Sequence, residues 1–215
     1  MAWWQGARSG SAGLGLGWRG RVYSAQTCEG VRMASALPKP WTVDEFLDWE
    51  REQAERFELV DGVVRMMTGG SNAHAAVKGN LFAALRGRVK TPCQVFVDGP
   101  KVVTASASLY PDVLVTCAPV VMTDDTVREP VLIAEVLSRT TAGHDRGAKW
   151  LAYREIASLA HYLLVWQDVR RVELFSRRAG GWELVILEPP APIELSALGV
   201  SLGFAELYDG VLDRA

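Results

Sequence analysis

The chain lacks the features that announce most common functions. Its 215 residues hold only three cysteines, Cys28, Cys93 and Cys117, and three histidines. The cysteines are odd in number and share no metal-ligand spacing, which excludes a zinc ribbon and a disulfide-stapled secreted scaffold. They read as reduced thiols of a cytoplasmic protein. No uncharged apolar run reaches the roughly 18 residues that a membrane-spanning helix needs. There is no glycine-rich phosphate loop and no dinucleotide fingerprint. Charge of one sign is also missing: 23 Lys and Arg stand against 25 Asp and Glu, a net charge of -2. No broad basic field marks a non-specific nucleic-acid binder, although a local groove is compatible with that balance.

What is present is a core. At 49% apolar composition the chain supports one domain of ordinary size. The first 36 residues differ from the rest. They are rich in Gly, Ser and Arg, with Glu29 as their one acid. They read either as a disordered extension or as a mis-called start ahead of Met33. Residues 37–215 form the expected folded domain. Thr42 and Glu45 have capping-box spacing before a helical stripe of Val43, Phe46 and Leu47. Asp61-Gly62 is a hairpin signal between "FELV" and "VVRMM". A second helix runs through Val77, Leu81, Leu85 and Val89, with Ser71 or Asn72 as its cap. "CQVFV" and "KVVT" read as strands about an Asp-Gly turn. "YPDVLVTC", "VLIAEVLS" and "HYLLVWQ" are apolar strands, and "RVELFSRRAGGWELVIL" is a hairpin. A short helix, "DRGAKWLAYREI", lies between them. The order is mixed α/β, with a strand-rich centre and helices on its faces.

Two acids stand out in apolar strands. Side chains of a strand alternate between faces. Glu135 therefore shares a face with Ile133 and Leu137, and Asp112 with Leu114 and Thr116. If the two strands are neighbours, the carboxylates converge, and a hard cation such as Mg²⁺ is the common means of holding them together. The competing reading is separate ion pairs with Arg146 or Arg154. Asp145, Lys149 and Tyr153 recur at every fourth position of the short helix. Alone they are a solvated pair with a neighbouring tyrosine. Beside the Glu135 strand, Lys149 comes within reach of the carboxylates. Glu58 is either an outward-facing strand residue or a further acid of the same site. His74 is either a hydrogen-bonded residue at the core edge or an accessory group. Arg86, Arg88 and Lys90 suit a helix C-terminus. Arg170, Arg171, Arg177 and Arg178 suit either a phosphate backbone or a protected sheet edge.

The ordered run "ELVDG", "SNAH", "YPDVLV", "LIAEVLS" and "DRGAKWLAY" resembles the Uma-type putative restriction endonucleases, a bacterial family of the PD-(D/E)xK nuclease superfamily. The resemblance runs from about Trp41 to the C-terminus. It implies a restriction-endonuclease-like core, a central mixed β-sheet flanked by helices. It implies catalytic and metal-binding roles for Asp112, Glu135 and Glu58, with Lys149 as the catalytic lysine and His74 and Tyr153 as accessory residues. The superfamily's lysine position falls on Leu137, so the resemblance implies a lysine moved to the next helix. Arg139 replaces a proline usual in the family. The implied function is Mg²⁺-dependent hydrolysis of DNA phosphodiester bonds, with Mn²⁺ as a substitute. The implied assembly is a homodimer, since a duplex cut needs two sites, and no membrane is involved. The alternatives are a catalytically inactive nucleic-acid or protein-binding module on a nuclease fold and, third, a metal-dependent hydrolase of a small phosphoester.

Overall fold

The computed structural model describes residues 39–138 and 142–212. The reading of residues 1–36 and the departure at Arg139 lie outside that range. The first helix, α1 (Val43–Glu50), opens on the expected capping box: Thr42 accepts from the Glu45 amide, and the Glu45 side chain accepts from the Thr42 amide. Strands β1 (Phe57–Val60) and β2 (Val63–Met66) form a hairpin. Its turn places Asp61 at φ 47° and Gly62 at φ 78°, the left-handed pair that a two-residue hairpin loop requires. Ser71 caps the 17-residue α2 (Asn72–Arg88) by accepting from the His74 amide. The buried face of α2 is Val77, Leu81, Ala84 and Leu85.

Among the described residues, eleven strands and three short helices follow α2, with one π-helical turn and one short 3₁₀ turn (Ser196–Leu198) between them. The strands are β3 (Gln94–Val97), β4 (Lys101–Val103), β5 (Ala107–Leu109), β6 (Val113–Thr116), β7 (Thr126–Val127) and β8 (Pro130–Leu137). After β8 the chain turns into α3 (Ala142–His144), the π-helical turn Asp145–Lys149 and α4 (Trp150–Tyr153). Then come β9 (His161–Trp166), β10 (Val172–Arg178), β11 (Gly181–Leu187), β12 (Ile193–Leu195), β13 (Val200–Leu202) and α5 (Phe204–Leu207). Of these, β12 and β13 make a small hairpin of their own.

The central sheet has the order β11-β10-β9-β8-β6-β3. It is mixed: β8 and β9 are parallel and the other neighbours antiparallel. Strand β8 lies inside it, so both of its edges are paired, and a core covers each of its faces. Leu132, Ala134 and Val136 pack with α2 and α5 residues in one core. Ile133 and Leu137 pack in the other with Tyr153, Tyr162 and Leu164. Each such fully buried aliphatic side chain stabilises the fold by about 1.5–3 kcal/mol.

As expected, the central sheet is mixed and has helical segments on both faces, α2 and α5 in the first core and the α3–α4 segment in the second, which is shared with a second sheet of order β2-β1-β5-β4-β7. Strand β3, the Asp98-Gly99 turn with Asp98 at φ 47° and strand β4 follow one another as read, with β3 and β4 in different sheets. One expectation is corrected: Cys93 and Cys117 are disulfide-bonded rather than reduced. The register explains the bridge. Gln94 pairs with Thr116 across β3 and β6, which brings the next residue of each strand, Cys93 and Cys117, opposite one another. Among the described residues no helix is long and apolar enough to cross a membrane.

Candidate active site

The site assembles where β8 meets β6. Val113 pairs with Ala134 in the antiparallel register, and one step further along sets Asp112 beside Glu135. Side chains opposite one another in such a pair share a face. Both acids line a single open cavity of about 840 Å³. Glu58, His74, Lys78 and Lys149 line it too.

Lys149 joins the acids. Its Nζ lies 2.9 Å from Glu58 Oε1, 3.2 Å from Glu135 Oε1 and 3.6 Å from Asp145 Oδ1. It reaches them from the π-helical turn, a rare conformation that is frequent at functional sites. Tyr153, four residues on, donates its hydroxyl to Glu135 Oε1 at 3.1 Å. Leu137, in the superfamily's lysine position, is sealed in the second core. Glu58 Oε1 also accepts from the Tyr110 amide at 3.0 Å. Asp112 is held on its other side. Its Oδ2 accepts from the Val136 amide at 2.7 Å, and its Oδ1 lies 3.0 Å from His74 Nε2. Lys78 Nζ stands 3.6 Å from the same oxygen and 2.7 Å from Asp98. The arginines that offered separate ion pairs are engaged elsewhere: Arg146 with Glu173, Arg154 with Glu155.

These contacts set the charges. Burial works against ionisation of Asp112, but His74, the Val136 amide and Lys78 outweigh it and hold its carboxyl below the usual range. Burial pushes Glu135 well above the usual range; Lys149 pulls it down, while Asp145, Asp112 and Glu58 push it further up. Burial would lower the Lys149 ammonium, yet Glu135, Glu58 and Asp145 raise it. Lys149 is thus a fixed cation among acids.

The donor set suits a hard cation. Carboxylate oxygens are the ligands Mg²⁺ prefers. Among the described residues, no three His, Cys, Asp or Glu side chains group into a ready-made metal cage. A site of two carboxylates, completed by water and substrate oxygens, is the usual arrangement for Mg²⁺. Asp112 and Glu135, facing one cavity from adjacent strands, meet that requirement.

The structure therefore brings Glu58, Asp112, Glu135 and Lys149 together, with His74 and Tyr153 each bonded to one of the acids. Sequence reasoning passed over Lys78, His144 and the Tyr110 amide. Lys78 had a signal, one helical turn beyond His74. Arg171, Arg177 and Arg178 stand outside this cavity. Arg171 pairs with Glu188 and Arg178 with Glu183, while Arg177 donates to the carbonyls of Arg154, Ile156 and Leu159. Arg88 caps α2 through the Ala84 carbonyl, as its position near the helix end suggested.

Comparison with known proteins agrees with this architecture. The uncharacterized protein slr1290 of Synechocystis sp. is 30% identical over 173 residues, covering 78% of this chain and 91% of that protein. The uncharacterized protein sll1609 of the same organism is 33% identical over 151 residues, covering 67% and 85%. The crystal structure of a "putative nuclease belonging to DUF820" from Anabaena variabilis superposes with a TM-score of 0.66 at 18% identity. It covers 79% of this chain and 98% of its own, a likeness of fold. The family model Uma2, described as "Putative restriction endonuclease", matches residues 43–205, and the chain belongs to that family.

Proposed function

We propose that the chain is a Mg²⁺-dependent endonuclease that hydrolyses DNA phosphodiester bonds in this cavity, with Mn²⁺ as a workable substitute. The observation that carries this reading is the approach of Lys149 to Glu135 and Glu58 in the cavity that Asp112 also lines. Asp112 and Glu135 are the residues that would hold the cation, and Glu58 is a supplementary carboxylate that fixes Lys149. Bound there, a divalent cation supplies a water of near-neutral pKa and offsets charge on the phosphoryl oxygens.

The chain's own groups do the rest. Lys149 Nζ donates to the attacking water and stabilises negative charge as it builds, a contribution worth about 10²- to 10³-fold in rate. Glu58 and Tyr153 keep Lys149 and Glu135 in place. His74 and the Val136 amide fix both oxygens of Asp112, so its orientation is set before substrate arrives. We assign the chain a nucleic-acid partner and a homodimeric state, which places two such cavities on one duplex.

The test is cleavage of a DNA duplex by purified protein with Mg²⁺ and with EDTA. Cutting should need the metal, vanish in Asp112→Ala and Glu135→Ala, and fall about 10²- to 10³-fold in Lys149→Ala. Cutting that survives all three substitutions removes the site from the reaction. DNA retention with neither cutting nor metal binding assigns the chain instead to binding without turnover.

A further inference from the structure

Three Lys or Arg side chains line the cavity: Arg65, Lys78 and Lys149. Lys149 is committed to Glu58, Glu135 and Asp145, and Lys78 to Asp98 and Asp112. Arg65 differs. It is exposed, and among the described residues it makes no ion pair or hydrogen bond. Its position is set by the β1–β2 hairpin, whose register puts it directly opposite Glu58. Cross-strand neighbours lie about 5 Å apart at Cβ and share a face, so Arg65 stands at the rim beside the proposed reaction site. Among the described residues no ion pair joins it to Glu58, whose Oε1 is shared by Lys149 and the Tyr110 amide and whose Oε2 lies 4.0 Å from His144 Nε2.

A second group sits on the same side of the cavity. His144 Nε2 is buried and has no hydrogen-bond partner, and its nearest carboxylate, Glu58, is 4.0 Å away. A buried polar atom without a partner costs about 1–3 kcal/mol, so a group that meets Nε2 on binding recovers that cost. Arg65 and His144 line the same cavity, and Glu58 lies opposite the first and 4.0 Å from the second. With the ring proton on Nε2, an uncommitted guanidinium and an unsatisfied imidazole N–H on one cavity wall are a donor pair for an oxyanion, and Arg suits phosphate oxygens in particular.

We infer that Arg65 and His144 form a phosphate-binding subsite, which takes the backbone phosphate adjoining the one that is cut. This rests on the nuclease reading for the source of the phosphate and on geometry alone for the subsite. Arg65 and His144 bind and position the strand, while Lys149 serves the bond that breaks. The acids of the cavity repel a polyanion, and an uncommitted cation at its rim offsets that repulsion where the strand enters.

The test is fluorescence anisotropy of a labelled single-stranded oligonucleotide in EDTA, over a range of salt concentrations. Arg65→Ala should weaken binding about tenfold and flatten the slope of log K against log salt by about 0.7, the share of one phosphate on a single strand. Arg65→Lys should restore the slope, since it restores the charge. Equal affinity and slope in wild type and Arg65→Ala overturn the subsite while leaving the nuclease reading intact. If wild type neither binds nor cuts DNA, the nuclease reading falls and inorganic phosphate becomes the probe. A His144 ring resonance that shifts with phosphate in wild type and not in Arg65→Ala keeps the subsite for free phosphate. No shift overturns it.

Discussion

Glu135 is a carboxyl whose environment opposes its charge. It is 3% exposed and lies on the inner face of a central strand, so burial favours its neutral form. The consequence for stability has a definite sign. Its folded-state pKa lies above the unfolded value, so the folded protein holds a proton there that the unfolded chain has lost. Stability should therefore fall as pH rises from the ordinary carboxylate range through the raised pKa. Denaturation in EDTA at several pH values should show this decline in wild type and a shallower one in Glu135→Gln, which should also abolish cleavage. His161 gives the opposite slope. Its Nε2 accepts from the Ala197 amide and its Nδ1 meets Ser176, so the neutral ring is the bonded one. Burial lowers its pKa from 6.5 to about 4, with Arg178 adding to the effect. Here the unfolded chain binds the proton first. Stability should be full above pH 6.5 and be lost toward pH 4, by on the order of 3 kcal/mol. His161→Gln should flatten that loss in acid denaturation curves.

Elements position these residues, and what sequence could reveal follows from how each element is specified. Alternation in "VLIAEVLS" fixed the face of Glu135, because a strand period is local. The four-residue spacing of Asp145, Lys149 and Tyr153 was local too, and it placed Lys149 in the helical segment after β8, where it meets Glu135. Pairings between distant segments left no such trace. The Cys93–Cys117 bridge depends on the β3–β6 register, and the second sheet depends on β5, a three-residue strand with almost no pattern of its own. His144 and Tyr110 joined the site through these same long-range placements. One glycine makes the case at the N-terminus of α2. A Cβ on Gly70 would lie 2.8 Å from His74 Cδ2 and 2.9 Å from Cγ. The ring would have to move, and its 3.0 Å contact with Asp112 would go with it. Gly70→Ala should therefore slow cleavage about tenfold or more while costing only about 1 kcal/mol in stability, since the loop is exposed. A melting curve beside a rate measurement separates the two effects.

At the scale of the whole molecule, two sheets and a helical layer enclose a cavity in which strand and helix meet. Strands β6 and β8 bring the acids, the turn after β8 brings the lysine, and α2 brings the histidine. Fold and family follow from the whole chain, while chemistry depends on four side chains converging. The most direct measurement is the single-turnover cleavage rate of a DNA duplex at saturating enzyme, followed against Mg²⁺ concentration for wild type, Glu135→Gln and Lys149→Ala. A saturable, metal-dependent rate is predicted for wild type, no measurable rate for Glu135→Gln, and a rate about 10²- to 10³-fold lower for Lys149→Ala with unchanged DNA affinity. A wild-type rate indifferent to EDTA, or a Lys149→Ala rate equal to wild type, would contradict the account.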